Sequence, residues 1–584
     1  MDALLCAFPV GDAMDYQDPG ARGRLATGGW KPHPHAGEVL PTDQLLDVDA
    51  LITAYFQQRP DPTVPAQRVH FGTSGHRGCA FDTTFNEWHV LAITQAICDE
   101  RRGQGIDGPL FVGCDTHAVS APAGATVLEV LAANQVEARI TGAGQFTPTP
   151  AVSFAILRHG RQQRSLGSQA DGIILTPSHN PPADGGLKYN RTNGGAADLA
   201  CTTRIERAAN IFLQAGLKGV RRIPLARARR TAGVVIHDFR TPYVQALGEV
   251  LALDRVRAAG VRIGVDPLGG AGTAYWPAIA EHWHLALTVT DDTVDPTFRQ
   301  IRRDADGVVR MDPASPWVMR PLVALREDFD VAFGCDADHD RHGIVTPADG
   351  LLSPHHYLPV LVDHLLRHRP HWRLPVAIGD TMVCTRLIER VATALQQTVW
   401  TAPVGFKWFA AGLHDCRLAV AVEESAGASF LDRSGLPWST DKDGIIAGLL
   451  AAEIVALQGR HPGQCYRQLA GRLGETFAAR QDVPASPVQR DRVARLTRWS
   501  SDLLPILGGD TIAQTLTQAP GNGAAFGGIQ VVTRGGWVAL RPSGTEDLCK
   551  IYGESFVSAA HLGTLLEEGQ ARLQAVFADP SAAS

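Results

Sequence analysis

The chain has 584 residues, of which 45% are hydrophobic and 20% charged, and a net charge of -6. That composition is ordinary for a soluble globular protein of roughly four domains, and the weakly acidic balance excludes the global positive field that a nucleic-acid partner requires. No apolar run reaches membrane-spanning length, Met1-Asp-Ala-Leu-Leu5 lacks the basic start of a signal peptide, and the ten cysteines show neither a C-x-x-C pair nor zinc spacing, a pattern that suits a reducing cytosol.

Residues 1 to about 40 are rich in Gly, Pro, Asp and Ala without a sustained period, and read as a poorly ordered extension or arm. A short helix is predicted over 43–58. Phe71-Gly-Thr-Ser-Gly-His-Arg-Gly78 follows, a loop whose backbone amides can face an anion, although glycine turns of this kind are common. The next helix carries a capping box of Thr84 with Glu87 and apolar residues at Val90, Ile93 and Ile97. A strand over 109–113, a helix with Ser120 as N-cap and Pro122 in its first turn, a strand over 137–141 and a helix over 151–157 continue the pattern.

The strand Asp171–Leu175 then runs into Thr176-Pro-Ser-His-Asn-Pro-Pro182. Proline removes backbone donors and restricts the residue before it, so the strand must stop and turn. Ser178 is thereby held on a stiffened loop at the carboxyl end of a strand, where open α/β sheets bind ligands. A proline-rich surface turn is the plain alternative.

The alternation restarts at 261–266, passes through a helix over 275–283 and a strand over 285–290, and ends in Asp330-Val-Ala-Phe-Gly-Cys-Asp-Ala-Asp-His-Asp-Arg-His-Gly343. A third round starts at 376–380, runs through a helix over 386–395 and reaches Leu418-Ala-Val-Ala-Val-Glu-Glu-Ser-Ala-Gly427. Strands alternating with helices predict mainly parallel sheets covered by helices. A helical stretch over 443–473 leads to a different C-terminal region. There, polar, proline-containing residues over 480–525 read as a compliant linker, and the strand Trp537–Leu540 ends in Arg541-Pro-Ser-Gly-Thr-Glu546.

Four loops therefore carry chemistry. Asp336, Asp338 and Asp340 place three hard oxygen ligands on one turn, which suits Mg²⁺. An EF-hand is excluded, because Arg341 and Pro347 stand where its Gly and Glu belong; a solvated acidic turn is the other reading. Arg541, Ser543, Gly544 and Thr545 combine a guanidinium, two hydroxyls and a glycine amide, a set that fits a phosphate dianion or, alone, an exposed turn. Glu423, Glu424 and Ser425 can bind vicinal sugar hydroxyls or cap a helix, and both can hold. Three aspartates, a phosphoserine and Mg²⁺ sum to a charge of about -3. A phosphorylated substrate then requires the cations Arg77, Lys188, Arg341, Lys407, Lys442 and Arg541 that sit in or beside these loops.

These residues together resemble the α-D-phosphohexomutase superfamily over roughly 45–575. TPSHNPP, DADHDRHG, EESAG and RPSGTE match its phosphoserine, metal, sugar and phosphate loops, and FGTSGHRG, FTPTPAVS, GVDPLGG, VGFKWF, EESAGASFL and PWSTDKDG resemble its bacterial phosphoglucomutase branch. The resemblance implies three related α/β domains with mixed, mainly parallel sheets and a smaller α+β C-terminal domain around a central cleft. It implies an N-terminal extension over 1–40 and domains over 41–235, 236–342, 343–470 and 471–584, carrying the four loops in that order. It makes Ser178 the phosphate carrier, and Ser178 with Asp336, Asp338 and Asp340 the Mg²⁺ ligands. Arg77 and Arg341 stabilise the moving phosphoryl group. Lys188 is the general acid/base, assisted by His179. Thr73 and Ser74 join the substrate contacts, Glu423 and Ser425 orient the sugar, and Arg541, Ser543, Gly544 and Thr545, with Lys407 and Lys442, hold the non-reacting phosphate. The implied reaction interconverts glucose 1-phosphate and glucose 6-phosphate through glucose 1,6-bisphosphate, which also serves as activator, in a cytoplasmic monomer or homodimer.

Mannose or N-acetylglucosamine phosphates are alternative substrates, and a non-catalytic sugar-phosphate-binding protein is an alternative class. An aspartyl-phosphate enzyme of the haloacid dehalogenase type shares Asp336 and Asp338, but would want a hydrophobic or hydroxyl residue where His339 and Asp340 follow. Two features depart from the family pattern: Val422 replaces a small glycine before the sugar loop, and residues 1–40 match nothing in it.

Overall fold

The computed structural model describes residues 32–72, 74–163, 167–372, 375–500, 505–544 and 547–578. Among the described residues three mixed sheets, one five-stranded antiparallel sheet and one two-stranded antiparallel sheet are formed.

In the first sheet the strands Leu110–Cys114, Ala138–Ile140, Asp171–Leu175 and Val234–Ile236 run parallel. Asp184–Asn190 returns antiparallel to Asp171–Leu175, and His76–Cys79 pairs antiparallel to it at the edge. The second sheet sets Ile263–Asp266 parallel to both Leu287–Val289 and Val331–Cys335, with His342–Thr346 antiparallel to the last. In the third, Ala377–Thr381 lies parallel to Thr398–Ala402 and Leu418–Glu423, and Gly427–Phe430 returns antiparallel. The apolar strands Asp171–Leu175, Val331–Cys335 and Leu418–Glu423 are buried throughout because helices cover their sheets.

Each of these three strands reverses directly into its antiparallel neighbour, and each reversal contains one non-glycine residue with positive φ: Ser178 at 61°, His339 at 58° and Ala426 at 65°. A left-handed conformation at such residues costs on the order of 1 kcal/mol or more and persists only where the surroundings fix it. The three reversals are the loops singled out in the sequence.

A continuous core joins the units. The helix Gly444–Gln458 follows the third sheet in sequence yet packs on the second, and a Cβ at Gly448 would lie 2.5 Å from the Phe333 ring. Val422 is fully buried and pairs in register with Ala428, so the strand runs regularly up to Glu423.

The helix boundaries correct several expectations. The helix predicted over 43–58 spans Val48–Gln57, because Asp47 accepts a hydrogen bond from Ala50 N and caps it. The Thr84–Glu87 capping box does not form. Asn86 is the N-cap and His89 reaches back to its amide, while Thr84 is engaged by Cys79. Ser120 is the first helical residue, not the cap.

The linker expected over 480–525 is likewise structured. Phe477–Pro484 is an edge strand of the C-terminal antiparallel sheet, the helix Pro487–Ala494 follows, and Gln514–Gln518 forms the opposite edge. Polar alternation on a half-exposed edge strand looks like linker in the sequence. This unit rests on the third sheet through Met382, Val383, Phe526, Trp537 and Tyr552. The buried Glu554 also accepts hydrogen bonds from Thr385 Oγ1 and Arg386 N.

Candidate active site

The Ser178 hydroxyl is buried and donates to Asp336 Oδ2 at 2.8 Å, so the first and second reversal loops meet there. Its left-handed backbone is fixed from below. Ser178 N donates to Thr176 Oγ1 at 2.7 Å, and Thr176 Oγ1 donates to Asp115 Oδ2 at 2.6 Å. Asp115 also accepts from Ser120 Oγ and His117 N, and its Oδ2 lies 2.8 Å from His117 Nδ1. His117 Nε2 reaches the Asn180 carbonyl at 3.1 Å, so both ring nitrogens face acceptors and both carry protons. Burial alone would lower the His117 pKa, but the Asp115 carboxylate holds it above the ordinary histidine value. Burial would raise Asp115, but His117 and the hydrogen bonds hold it low.

Asp336, Asp338 and Asp340 are buried, with ligand oxygens within 4.8 Å of one another. Asp336 Oδ1 accepts from the amides of Asp340 and Arg341, which tightens the turn. Lys188 Nζ bridges Asp338 Oδ2 at 2.6 Å and Asp340 Oδ2 at 2.9 Å. Burial would lower the Lys188 pKa, but these two carboxylates raise it and keep the amine charged. Burial, followed by Asp340 and Asp338, pushes Asp336 well up, whereas Lys188, Lys442 and Arg341 overcome burial at Asp340 and hold it low. Asp338 Oδ1 and Asp340 Oδ1 are buried without a hydrogen-bond partner. Two orphaned carboxylate oxygens beside a third carboxylate form a donor set that fits a hard divalent cation such as Mg²⁺.

The third loop joins through Lys442. Its Nζ donates to Glu423 Oε1 at 2.9 Å and lies 3.5 Å from Asp340 Oδ2, while Ser425 Oγ donates to the same Glu423 oxygen. Gly427 is required here, since a Cβ would lie 2.2 Å from the Lys442 stem. His342 N donates to the Ala426 carbonyl and ties the metal and sugar loops together.

Arg77 donates to Ser74 Oγ at 2.6 Å and to Asn180 Oδ1 at 3.1 Å, bringing FGTSGHRG against the phosphoserine loop. Burial, reinforced by Arg341, Arg77, Lys442 and Arg310, holds His179 well below the usual histidine range, so its ring is neutral. Its Nδ1 is buried without a partner. Arg341 stays charged: burial would lower it, but Asp312, Asp336, Asp340 and Glu423 raise it.

Ser178, His179, Lys188, Ser74, Arg77, Arg341, Glu423, Ser425, Lys442 and the three aspartates thus converge. Lys407, expected with Arg541 at the non-reacting phosphate, lines a small cleft with Ser74, Gly75 and Lys188. Arg541 and Ser543 lie on the C-terminal unit. Arg541 Nε is buried without a partner; burial and then Glu423 push the Glu424 pKa up, and the Arg541 charge opposes them. Gly544 is exposed beside them, whereas Thr73 and Thr545 fall outside the described residues. Residues not singled out from sequence also belong here: Thr149, whose hydroxyl donates to Asp338 Oδ2, together with Asp115, His117 and Asn180. FTPTPAVS contains Thr149, so its position was visible; its aspartate partner, 189 residues away, was not.

Family models for phosphoglucomutase/phosphomannomutase match in all four parts. The α/β/α domains I, II and III match residues 68–212, 241–350 and 353–473, and the C-terminal domain matches 511–569. A phosphoglucomutase of Komagataeibacter xylinus is 48% identical over 545 residues, 93% of this chain and 98% of that protein. Among solved structures, a putative phosphomannomutase from Thermus thermophilus superposes with a TM-score of 0.68 at 23% identity, covering 88% of this chain and 100% of that one. The open form of parafusin, a phosphoglucomutase from Paramecium, superposes with a TM-score of 0.68 at 18% identity, covering 89% and 96%. These two likenesses concern the fold. Among the described residues no helix is long and apolar enough to cross a membrane.

Proposed function

The chain belongs to the phosphoglucomutase/phosphomannomutase family, and we infer that it is a Mg²⁺-dependent phosphoglucomutase. It interconverts α-D-glucose 1-phosphate and glucose 6-phosphate through a phosphoserine enzyme and a glucose 1,6-bisphosphate intermediate. The observation that carries the site assignment is the buried Ser178 hydroxyl, 2.8 Å from one carboxylate of a three-aspartate cluster with two unpartnered oxygens.

In the forward half-reaction the Ser178–phosphorus bond breaks as the free sugar hydroxyl forms a new bond to phosphorus, and the hydroxyl proton passes to a base. The bisphosphate then turns over, and its other phosphoryl group returns to Ser178. Asp336, Asp338 and Asp340, with the phosphorylated Ser178, hold Mg²⁺, which supplies charge neutralisation at the phosphoryl oxygens. Arg77 and Arg341 stabilise the charge that develops in transfer. Lys188, held charged by Asp338 and Asp340, acts as the acid that gives a proton to the departing Ser178 oxygen, and the neutral His179, whose unpartnered nitrogen is available as an acceptor, takes the sugar hydroxyl proton. Glu423 and Ser425 orient the sugar from the third loop, with Lys442 fixing Glu423. Thr73 and Ser74 contact the substrate, and Lys407 helps hold its non-reacting phosphate. Arg541, Ser543, Gly544 and Thr545 hold the non-reacting phosphate. A monomer or homodimer working in the cytoplasm on small sugar phosphates completes the proposal.

The test is a coupled assay of glucose 6-phosphate formed from glucose 1-phosphate, with Mg²⁺ and catalytic glucose 1,6-bisphosphate. Turnover dependent on Ser178 is expected. Absence of turnover in the folded, metal-supplied protein contradicts the proposal.

A further inference from the structure

A second recess lies apart from the aspartate cluster, where the first sheet meets the helix that opens the next unit. Arg139 and Phe111 pair in register on adjacent parallel strands, so their side chains leave the same face of the sheet. The guanidinium sits 5.6 Å from the Phe111 ring centre. The helix Thr149–Gln162 packs on these strands, and the helix Arg240–Val250 begins just after Phe239. The two helices touch where Phe154 meets Tyr243 edge-on at 5.5 Å. Between them and the sheet lies a cavity of about 320 Å³. Its floor is aromatic: the buried Phe111 meets His237 at 5.1 Å and Phe239 at 5.8 Å, both edge-on, and Phe154 closes the helix side. Its rim carries two guanidinia, Arg139 from the sheet and Arg158 from the helix.

Both guanidinia are lightly committed. Among the described residues Arg139 pairs with Glu137 and Arg158 with Glu249, with the arginines 29% and 40% exposed and the glutamates 44% and 43%. Ion pairs this exposed contribute on the order of 0–1 kcal/mol, so a dianion can take both cations at little cost. Asp238, the other acid on the lining, is occupied: its Oδ1 accepts from Arg240 N and Thr241 N and caps the helix. The walls also reach the site described above. At the far end of the first helix, Thr149 N donates to the Asp338 carbonyl at 2.9 Å and the Thr149 hydroxyl to the Asp338 carboxylate. Arg158 stands about two and a half turns, roughly 13 Å, further along the same helix. Midway, Ser153 Oγ accepts from Thr440 N. On the second helix the Tyr243 hydroxyl donates to Asp443, next to Lys442.

We propose that this recess is an effector site for a nucleoside monophosphate, with the base against the aromatic floor and the phosphate on Arg139 and Arg158, and that the bound ligand steadies the helix Thr149–Gln162 and so tightens Mg²⁺ binding at Asp338. Aromatic walls select a flat ring. Two guanidinia carried by different elements select a phosphate dianion. The volume lies at the lower end of small-molecule sites, roughly 300–1,000 Å³, which favours a monophosphate over a triphosphate. A helix already restrained leaves less ordering to be done when the metal arrives, which gives positive coupling. The binding site does not rest on the phosphoglucomutase reading; the coupling rests on the Mg²⁺ assignment at the three aspartates.

The test titrates AMP into the full-length protein by calorimetry, alone and with saturating glucose 6-phosphate, beside adenosine and inorganic phosphate. AMP is expected to bind, to hold its affinity within about threefold in glucose 6-phosphate, and to bind at least about tenfold more tightly than either fragment. Arg139→Gln and Arg158→Gln each remove a charged phosphate contact and are expected to weaken AMP about tenfold while leaving basal turnover unchanged. Mg²⁺ is then titrated with and without saturating AMP. Its affinity is expected to rise about threefold with AMP, AMP affinity to rise equally with Mg²⁺, and Arg158→Gln to lose the effect. Absence of AMP binding overturns the site. So does competition between AMP and glucose 6-phosphate, which would put AMP in the catalytic cleft, or wild-type AMP affinity in both arginine variants. Mg²⁺ affinity unaltered by AMP in protein that binds both overturns the coupling. A folded protein that binds AMP in this pattern but has no turnover supports the site and overturns the phosphoglucomutase reading alone.

Discussion

Asp115→Asn probes the support beneath Ser178 without touching substrate or metal ligands. The Asp115 carboxylate is buried and receives Ser120 Oγ and Thr176 Oγ1 at 2.6 Å each, with His117 Nδ1 at 2.8 Å and His117 N at 3.0 Å. Asparagine keeps one acceptor oxygen and turns the other into a donor. If the oxygen stays toward Ser120, the contacts from Thr176 and His117 Nδ1 are lost. Hydrogen bonds to a charged group contribute about 1.5–3 kcal/mol each, and the neutral amide recovers some desolvation, so the expected loss of stability is about 2–4 kcal/mol. Thr176 then no longer holds the Ser178 amide, and a displacement of the nucleophile near 1 Å lowers kcat by about 100-fold.

The pH dependence carries the same signature. His117 has a raised folded pKa, so its contribution is full below the unfolded value near 6.5 and is lost as pH rises through the folded value. Asp115 is depressed, so its contribution is present above the unfolded value near 3.9 and is lost as pH falls through the folded one. The wild type should lose stability on the alkaline side through this pair, and Asp115→Asn should not. Thermal unfolding against pH and the coupled assay measure both effects. Wild-type kcat and an unchanged alkaline limb in Asp115→Asn would refute the reasoning.

Asp338→Asn removes a hard ligand and the 2.6 Å partner of Lys188, so Mg²⁺ affinity measured by titration calorimetry should fall by about tenfold or more; full activity in excess EDTA would count against the metal assignment. Arg541→Lys keeps the charge and loses the planar fork, so it should raise KM, lower kcat and release more bisphosphate, while Ser178 phosphorylation by bisphosphate changes less. Wild-type constants in that variant would remove Arg541 from phosphate binding. Gly427→Ala forces the Lys442 stem to move from a contact of 2.2 Å and frees Glu423, so KM for the sugar should rise; unaltered kinetics would show that the third loop tolerates the shift.

Much of the site was legible because its chemistry is local. Ser178 is stiffened by adjacent prolines, and the three aspartates follow a continuous apolar strand, so five to eight residues sufficed to read each loop. What was not legible depends on long-range closure. The Thr149 hydroxyl meets Asp338, Thr176 meets Asp115 across 61 residues, and Lys407 shares a cleft lining with Ser74 and Lys188. The regular fold was read through periodicity, which marks Asp171–Leu175 and Tyr275–Trp283 unmistakably. Periodicity fails on half-exposed edges such as Phe477–Pro484, and on residues 33–39, whose order comes from pairing with Arg302 and Arg303. Helix starts escape the local pattern where a residue outside the usual capping types completes the cap, as His89 does at Asn86. Non-glycine residues with positive φ at Ser178, His339 and Ala426 have no sequence signal, since each is imposed by a strand reversing into its neighbour.

The central claim is that Ser178 carries the phosphoryl group. The direct measurement is intact mass and peptide mapping of the wild type and Ser178→Ala after incubation with glucose 1,6-bisphosphate and Mg²⁺. One phosphate on the peptide containing Ser178, stable to acid as a phosphoserine and absent from Ser178→Ala, is the predicted result. An acid-labile phosphate on Asp336 or Asp338, or mutase activity of more than a few per cent in Ser178→Ala, would contradict it.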